Sequence, residues 1–326
     1  MVIVKKKNKK MNQEYKYSLN GSPYNNFVIP PLEKEVNIAI IQPGSWGDNI
    51  NSTMMLMPLK GKYPNSQIDI YSTKNYQNAF YNNPLISNII AADIDGKNDS
   101  LNFVHIYPEL LKDKYQIVVN ASPFINPNDW SSGLYPHLGE NLMLSWCKAL
   151  EKIDVHYSLP LTTLLFPTEQ ERDKVLSWIQ NNIRDKNKRK ALLEVEGESG
   201  QSFWNPDWTK ETVKTLANLD IISIISKKHL TSEIQELIKL YPNKVLFCGD
   251  LTIRECSILY NNCDIFFSIS SGLSNACNTQ FCTRHQIWIE TVNSEVPSSK
   301  PLRDFGKKFW YKNNLKEFIN YLIQIL

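Results

Sequence analysis

Short apolar segments rich in β-branched residues recur along the chain, and each ends in a turn or in a segment with helical spacing. Such runs are typical of buried parallel strands, because helices cover both faces of a parallel sheet. The predicted strands span residues 36–41, 67–71, 86–92, 115–120, 190–195, 220–225, 244–248, 264–268 and 286–290. Strands that alternate with helices predict βαβ units, and hence parallel sheets.

The segments with helical spacing complete this α/β pattern. A first helix is predicted from Ser45 as its cap to Leu59, a short one ends at 79–81, and others span residues 101–111, 139–150, 169–182 and 315–326. We therefore predict two Rossmann-like, doubly wound domains. The expected organisation is a polar tail at 1–34, an N-terminal domain at 35–160, a C-terminal domain at 161–310, and a helix at 311–326 that packs back on the N-terminal domain.

Composition supports a protein of two domains. The chain has 326 residues, 42% of them apolar and 21% charged, which is typical of two globular domains. Its net charge of +3 gives no reason to expect a nucleic-acid partner. No apolar run reaches the ~18 residues of a membrane span. No apolar segment follows the first lysines, so a secretion signal is not expected and we expect the protein in the cytoplasm.

Two interpretations remain for the basic cluster at Lys5–Lys10. A solvated tail is the interpretation that the sequence favours. The alternative is a peripheral contact with anionic lipid at the inner face of the membrane.

The six cysteines do not indicate a metal site. None forms a Cys-x-x-Cys pair, and no histidine pair has the spacing of a zinc site. Most lie within apolar stretches, where a thiol behaves as a small apolar side chain. We predict reduced, buried cysteines and no bound metal.

The first segment with candidate chemistry is the turn after the first strand, residues 43–49 (PGSWGDN). In doubly wound sheets, ligands bind at the carboxyl ends of strands and at helix N-termini. Glycines here let the backbone approach a ligand, and Asp48 falls in the opening turn of the helix. It suits a general base, but a carboxylate that only complements the helix dipole is an equally good interpretation. The segment lacks the Gly-x-Gly-x-x-Gly dinucleotide fingerprint.

Two further segments follow strands of the second half. Residues 265–276 comprise an apolar strand, a Ser-Ser-Gly turn and the start of a helix. Free amides in this turn and the hydroxyls of Ser270, Ser271 and Ser274 could bind a diphosphate. A capped helix without a ligand is an equally good interpretation. Residues 194–206 contain glycines, serines and acids, and Glu196 or Glu198 could hold ribose or base hydroxyls. An exposed acidic turn is the favoured interpretation of this last segment.

Five segments together resemble the ADP-heptose:lipopolysaccharide heptosyltransferase family, glycosyltransferase family nine. They are residues 38–50 (IAIIQPGSWGDNI), 59–69 (LKGKYPNSQID), 82–86 (NNPLI), 247–260 (FCGDLTIRECSILY) and 263–275 (CDIFFSISSGLSN). Their order and spacing agree with the family. The resemblance spans most of the chain from Val36 onward and implies a GT-B fold, in which two Rossmann-like domains face a cleft.

The resemblance also implies an activity. The protein would be an inverting, metal-independent glycosyltransferase that moves heptose or a related sugar from a nucleotide-diphosphate donor, with ADP as one candidate, to a hydroxyl of a glycan, glycolipid or protein. Such an enzyme would act in the biosynthesis of cell-surface polysaccharide and would need no cofactor beyond its co-substrate. Asp48 would be the catalytic base. The expected donor-binding residues are Ser45, Gly47, Asn49, Glu196, Gly200, Gln201, Ser202, Ser270, Ser271, Gly272, Leu273, Ser274 and Asn275.

This chain departs from the family pattern at several positions. Asn275 replaces a histidine, Leu273 replaces a proline, and the segment before Trp204 lacks the cation that contacts phosphate. Lys227, Lys228 or Arg254 would have to supply that charge. The alternatives are a GT-B-shaped binding or scaffold protein with impaired catalysis, and a GT-B enzyme that uses another nucleotide sugar.

Overall fold

The chain forms two compact units, Met1–Phe166 and Pro167–Leu326. The computed structural model describes residues 2–5, 14–17, 26–27, 35–92, 111, 113–121, 150, 154–157, 163–197, 206–269, 271–281, 285–290, 308–310 and 315–326. The boundary between the units follows Phe166, whereas the sequence predicts it after residue 160. The helices predicted at 101–111 and 139–150 lie outside the described residues except for their last positions.

The first unit is built around a mostly parallel sheet. Its strands are β1 (Val2–Lys5), β2 (Glu14–Tyr17), β3 (Asn26–Phe27), β4 (Asn37–Gln42), β5 (Gln67–Thr73), β6 (Asn88–Ala92) and β7 (Ile117–Asn120). The main sheet has the order β3-β7-β4-β5-β6, in which β3 is antiparallel to β7 and the other pairs are parallel. The separate pair β1–β2 is antiparallel. The predicted polar tail thus contains three short strands.

Strand β4 lies in the middle of this sheet. Its residues from Ile38 to Gln42 are all buried, as expected for a parallel strand covered on both faces. Ala39 and Ile41 pack with Tyr71, Tyr115 and other apolar side chains on one face. The strand therefore ends at a fixed position, and the turn that follows it is anchored to the core.

The first predicted helix is divided in the structure. It consists of α1 (Trp46–Ser52), a 3-10 turn at Thr53–Met55, and α2 (Leu56–Lys62). Pro58 lies in the first turn of α2, where its missing amide costs no hydrogen bond, whereas it would break a continuous helix. Thr53 Oγ1 also donates to Ile50 O at 2.6 Å, a contact that competes with helical bonding.

The second unit has a sheet in which every strand pair is parallel. Its strands are β8 (Lys190–Glu194), β9 (Ile222–Ser226), β10 (Val245–Phe247), β11 (Ile265–Ser268), β12 (His285–Glu290) and β13 (Lys308–Trp310). Their order is β10-β9-β8-β11-β12-β13. The helices are α3 (Glu169–Asn182), α4 (Pro206–Asn218), α5 (Ser232–Leu240), α6 (Ile253–Asn261), α7 (Gly272–Ala276) and α8 (Leu315–Ile325).

The C-terminal helix α8 belongs to the second unit. Phe318 and Leu322 are fully buried in the core that Phe267 and Leu216 also form, and the rings of Phe318 and Trp208 stack at 5.3 Å. From the sequence, this helix was expected to pack back on the N-terminal domain. Its apolar face is instead occupied within the second unit, where Phe318 lies against Phe267 of β11 and Trp208 of α4.

Two smaller expectations can be compared with the described residues. The four cysteines that they include, Cys248, Cys256, Cys263 and Cys277, are free and buried, as predicted. Within the described ranges, no helix has both the length and the apolar character needed to cross a bilayer.

Candidate functional site

Each sheet reverses its strand order at one place. In the first unit the chain adds β5 and β6 on one side of β4 and then returns to place β7 on the other side. In the second unit it adds β9 and β10 on one side of β8 and then places β11 on the other. The carboxyl ends of the strands that flank such a reversal form the crevice where doubly wound sheets bind ligands. The pairs β4/β7 and β8/β11 therefore mark the candidate sites.

In the first unit, Gln42 spans the reversal. This last residue of β4 is fully buried, and its Nε2 donates to the carbonyl of Ala121, just after β7, at 2.7 Å. Its Oε1 accepts from the amide of Gly44 at 3.0 Å. One side chain thus fixes the turn that carries Asp48 against the neighbouring strand.

Gly44 leaves room for Asp48 in this turn. A Cβ atom at Gly44 would lie 2.7 Å from both Cβ and Oδ2 of Asp48 and 2.8 Å from Oε1 of Gln42. These distances are shorter than carbon contacts tolerate, so a larger residue would push the carboxylate away. The glycine that the sequence analysis assigned to close ligand approach serves first to seat this carboxylate.

Asp48 lies in the first turn of α1 and is partly buried. Its Oδ2 accepts from the amide of Ser45 at 3.0 Å and from the hydroxyl of Ser45 at 2.8 Å. Burial raises the pKa of this carboxyl, while the two contacts with Ser45 oppose the rise. In the described part of the chain both hydrogen bonds reach Oδ2, which leaves Oδ1 to accept a proton from a ligand.

The residues around Asp48 have different roles. Ser45 is exposed, and Gly47 is a buried residue of α1. Asn49 is fully buried: its Nδ2 donates to the carbonyls of Gly44 and Ser45, each at 2.7 Å, and its Oδ1 accepts from Ser72 at 2.6 Å. A side chain so occupied holds the turn in place, so its predicted contact with the donor does not fit its surroundings.

In the second unit, Glu194 spans the reversal. This last residue of β8 is 5% exposed, and its Oε2 accepts from the hydroxyl of Ser271, beyond β11, at 2.6 Å. Burial raises the pKa of Glu194 to about 8; the bond from Ser271 opposes the rise and the nearby Cys256 adds to it. Glu194 is therefore mostly protonated at pH 7, and the crevice carries no negative charge from it.

The Ser-Ser-Gly turn is held by its own side chains. Ser271 Oγ accepts from the amide of Ser274 at 3.1 Å, and Ser274 Oγ accepts from the amide of Ser271 at 3.0 Å. Asn275 Nδ2 donates to the carbonyl of Ser271 at 2.9 Å. This reciprocal capping box supports the interpretation as a capped helix. It occupies the amide of Ser274 and leaves the amides of Gly272 and Leu273, which have no intrahelical acceptors.

Burial separates the residues predicted at this turn. Leu273 and Ser274 are buried, whereas Ser271, Gly272 and Asn275 are partly exposed. Direct donor contacts from the side chains of Leu273 and Ser274 therefore do not fit the structure. Ser270, Gly200, Gln201 and Ser202 lie outside the described residues.

The three candidate cations have different surroundings. Arg254 cannot serve, because its side chain is 2% exposed and makes two bonds to Glu171, Nε to Oε1 at 2.5 Å and Nη2 to Oε2 at 2.9 Å. Lys227 Nζ pairs with Glu196 Oε2 at 2.5 Å. Lys228 is exposed. Glu196, one of the two acids that the sequence suggests for ribose or base hydroxyls, is therefore paired with a lysine.

Gln42 and Glu194 are site residues that were not predicted from the sequence. Both are polar residues that directly follow an apolar run at the end of a strand, and this signal could have drawn attention to them. Which strand each one bonds to depends on the strand order. Among the described residues, no group of three or more histidine, cysteine or acidic side chains is arranged to hold a metal ion.

Solved structures show what this architecture is similar to, although no protein-family profile and no curated protein sequence matches the chain. The glycosyl transferase family 9 protein from Veillonella parvula superposes with a TM-score of 0.68 at 14% identity, over 91% of both chains. The E. coli ADP-heptose LPS heptosyltransferase II gives 0.59 at 15% identity, over 89% of this chain and 98% of that one. The fold is GT-B.

A third GT-B structure agrees with this assignment. The E. coli heptosyltransferase WaaC, solved with ADP, superposes with a TM-score of 0.57 at 11% identity, over 89% of this chain and 98% of the other. The predicted fold class is therefore confirmed. At these identities the likeness concerns the fold, and the activity has to be argued from the residues of this chain.

Proposed function

We propose that this protein is a glycosyltransferase that moves a sugar from a nucleotide-diphosphate donor to the hydroxyl of an acceptor. The observation that carries the proposal is Asp48, a partly buried carboxylate at the carboxyl end of β4, beside the strand reversal. Gly44 and Gln42 fix the turn that holds it. The GT-B fold and the resemblance to heptosyltransferases support a sugar as the transferred group.

Asp48 acts in this proposal as the general base. Its Oδ1 takes the proton of the acceptor hydroxyl while that oxygen bonds to the anomeric carbon. The bond from the anomeric carbon to the phosphate oxygen breaks in the same displacement, and the nucleoside diphosphate leaves with the electron pair. A single displacement inverts the anomeric configuration. Since burial raises the pKa of Asp48, the carboxylate is a stronger base than an exposed aspartate.

The leaving diphosphate is bound in the second unit. The amides of Gly272 and Leu273, at the start of α7, lack intrahelical acceptors and are suited to phosphate oxygens. The mostly protonated Glu194 does not repel the phosphate. Donor groups of this kind stabilise the leaving phosphate electrostatically, so no metal or cofactor is required for the step. We propose ADP-heptose or a related nucleotide sugar as co-substrate.

The acceptor and the location of the enzyme belong to the same proposal. A hydroxyl of a glycan, a glycolipid or a protein would fit the chemistry, and the small net charge of +3 gives no reason to expect a nucleic acid. An enzyme of cell-surface polysaccharide synthesis would work in the cytoplasm, with Lys5–Lys10 as the segment that could contact the inner face of the membrane.

Replacing Asp48 tests the proposal. We expect Asp48→Asn to lose transfer by at least about a hundredfold, the usual range for a general base, and to bind the nucleotide sugar as the wild type does. Asp154→Asn is the matched control, because Asp154 is an exposed aspartate of the same unit. Turnover that survives in Asp48→Asn rules out the base role.

A binding or scaffold protein without turnover is the second candidate. It is favoured by the contact between Asp48 and Ser45, which resembles ordinary helix capping. The assay separates the two: a binding protein would take up a nucleotide diphosphate, with a rise in melting temperature, and transfer no sugar from any donor tested.

A further inference from the structure

The carboxyl edge of the second sheet holds an ion pair that the proposed mechanism does not use. Lys227 follows β9 directly, and its Nζ lies 2.5 Å from Oε2 of Glu196, two residues beyond the end of β8. The two side chains are 23% and 47% exposed. A ligand can therefore reach both of them, in contrast to the buried pair of Arg254.

Strand pairing places Lys227 near the strand reversal. Ser226, its neighbour in the chain, is in register with Glu194, and Glu194 bonds to Ser271 across the reversal. Neighbouring strands are about 4.8 Å apart, so Lys227 begins about 10 Å from the turn at Ser271. An extended lysine side chain spans much of that distance.

We propose that Lys227 is the cation that binds the donor diphosphate, and that Glu196 is its counterion until the diphosphate displaces it. This inference rests on the proposed function. A diphosphate carries more negative charge than one carboxylate and offers more acceptor oxygens. An exposed ion pair contributes little free energy, so a phosphate group can exchange for Glu196 at small cost.

The surrounding charges are consistent with this exchange. Glu233, at the start of α5, has a lowered pKa because of hydrogen bonds at the helix start and, to a smaller extent, because of Lys227. Lys227 is thus bordered by two carboxylates, those of Glu196 and Glu233. Burial raises the pKa of Glu194 to about 8, so this acid is mostly protonated at pH 7 and does not compete for Lys227.

Calorimetric titration with ADP, UDP, GDP and CDP tests the inference on the full chain. For whichever nucleotide the wild type binds, we expect Lys227→Met to weaken affinity on the order of tenfold or more, the range for a charge-assisted bond. Lys228→Met, the exposed neighbour, should stay within about twofold. Glu196→Gln should tighten binding by a few-fold, because it removes the competitor.

The outcomes separate this inference from the proposed function. A wild type that binds none of the four nucleotides overturns both. If the wild type binds a nucleotide and Lys227→Met binds it with the same affinity, only the inference is overturned. The inference is also overturned if Glu196→Gln binds the nucleotide more weakly, a result that would indicate a contact between Glu196 and the nucleotide. Affinity for the matching nucleoside, which has no phosphate, should be equal in the wild type and Lys227→Met. Circular dichroism verifies that each variant is folded.

Discussion

Glu194 makes the stability of this protein depend on pH in a specific direction. Its pKa is raised from 4.5 to about 8 in the folded state, mainly by burial. Between these two values the folded protein keeps a proton that the unfolded chain has released. The unfolding free energy therefore falls as the pH rises through this window, and the loss is complete above about pH 8.

The size of the effect follows from the two pKa values. Each pKa unit corresponds to about 1.36 kcal/mol, so a rise from 4.5 to about 8 costs the protein up to about 5 kcal/mol when Glu194 is ionised. Glu194→Gln removes the titration and keeps an oxygen that can accept from Ser271 Oγ. We expect the variant to gain about 3 to 5 kcal/mol over the wild type between pH 5 and pH 9.

Urea denaturation of both proteins at pH 5, 6, 7, 8 and 9 measures this difference. Glu236→Gln, at an exposed glutamate of the same unit, is the control for the loss of one carboxylate. If the difference between Glu194→Gln and the wild type is the same at pH 5 and pH 9, Glu194 does not titrate as proposed. A neutral Glu194 also predicts that wild-type nucleotide affinity falls above pH 8 and that the affinity of Glu194→Gln does not.

Three further predictions concern stability and the site. Gly44→Ala should destabilise the fold by about 1–3 kcal/mol because the added Cβ would lie too close to its neighbours. Gly61→Ala is the control and should be neutral or stabilising, because no atom lies within 4 Å of its added Cβ. Equal melting temperatures of the two variants would refute the steric argument. Arg254→Met should lower the unfolding free energy measured by urea denaturation by about 3 kcal/mol, because it breaks a buried ion pair. Its nucleotide affinity should stay unchanged, and a loss of affinity would make Arg254 a candidate phosphate ligand again. Tyr115→Phe should cost about 1.5–3 kcal/mol, since its hydroxyl donates to Asp69 at 2.6 Å; a loss below about 0.5 kcal/mol would count against that bond.

The strands could be predicted because their signal is local. The predicted strand at 115–120 corresponds to β7 (Ile117–Asn120), and that at 264–268 corresponds to β11 (Ile265–Ser268). An apolar, β-branched run is typical of a strand that is covered on both faces of a parallel sheet, and the central strands β4 and β11 are buried in this way. The division of the first helix also had a local cause in Pro58, which the sequence analysis passed over.

The candidate site was predicted in part. The sequence located Asp48 and the turn at Ser271 because both follow an apolar strand and precede a helix. It assigned Asn49 to donor binding, whereas in the structure Asn49 holds the turn in place. It also offered Arg254 as a candidate cation for the phosphate, whereas Arg254 forms an ion pair with Glu171. Neither role has a local signature, because each partner comes from a distant part of the chain or from a backbone carbonyl.

The sequence by itself determined which segments form buried strands, which turns follow them, and where acids, serines and glycines fall in those turns. Tertiary structure alone decided the strand order, and with it the pairs β4/β7 and β8/β11 whose ends meet. That order is set by pairing between segments far apart in the chain, so neither the bond from Gln42 to Ala121 nor that from Ser271 to Glu194 can be deduced from spacing. Burial of Glu194, and hence its raised pKa, follows from the same packing.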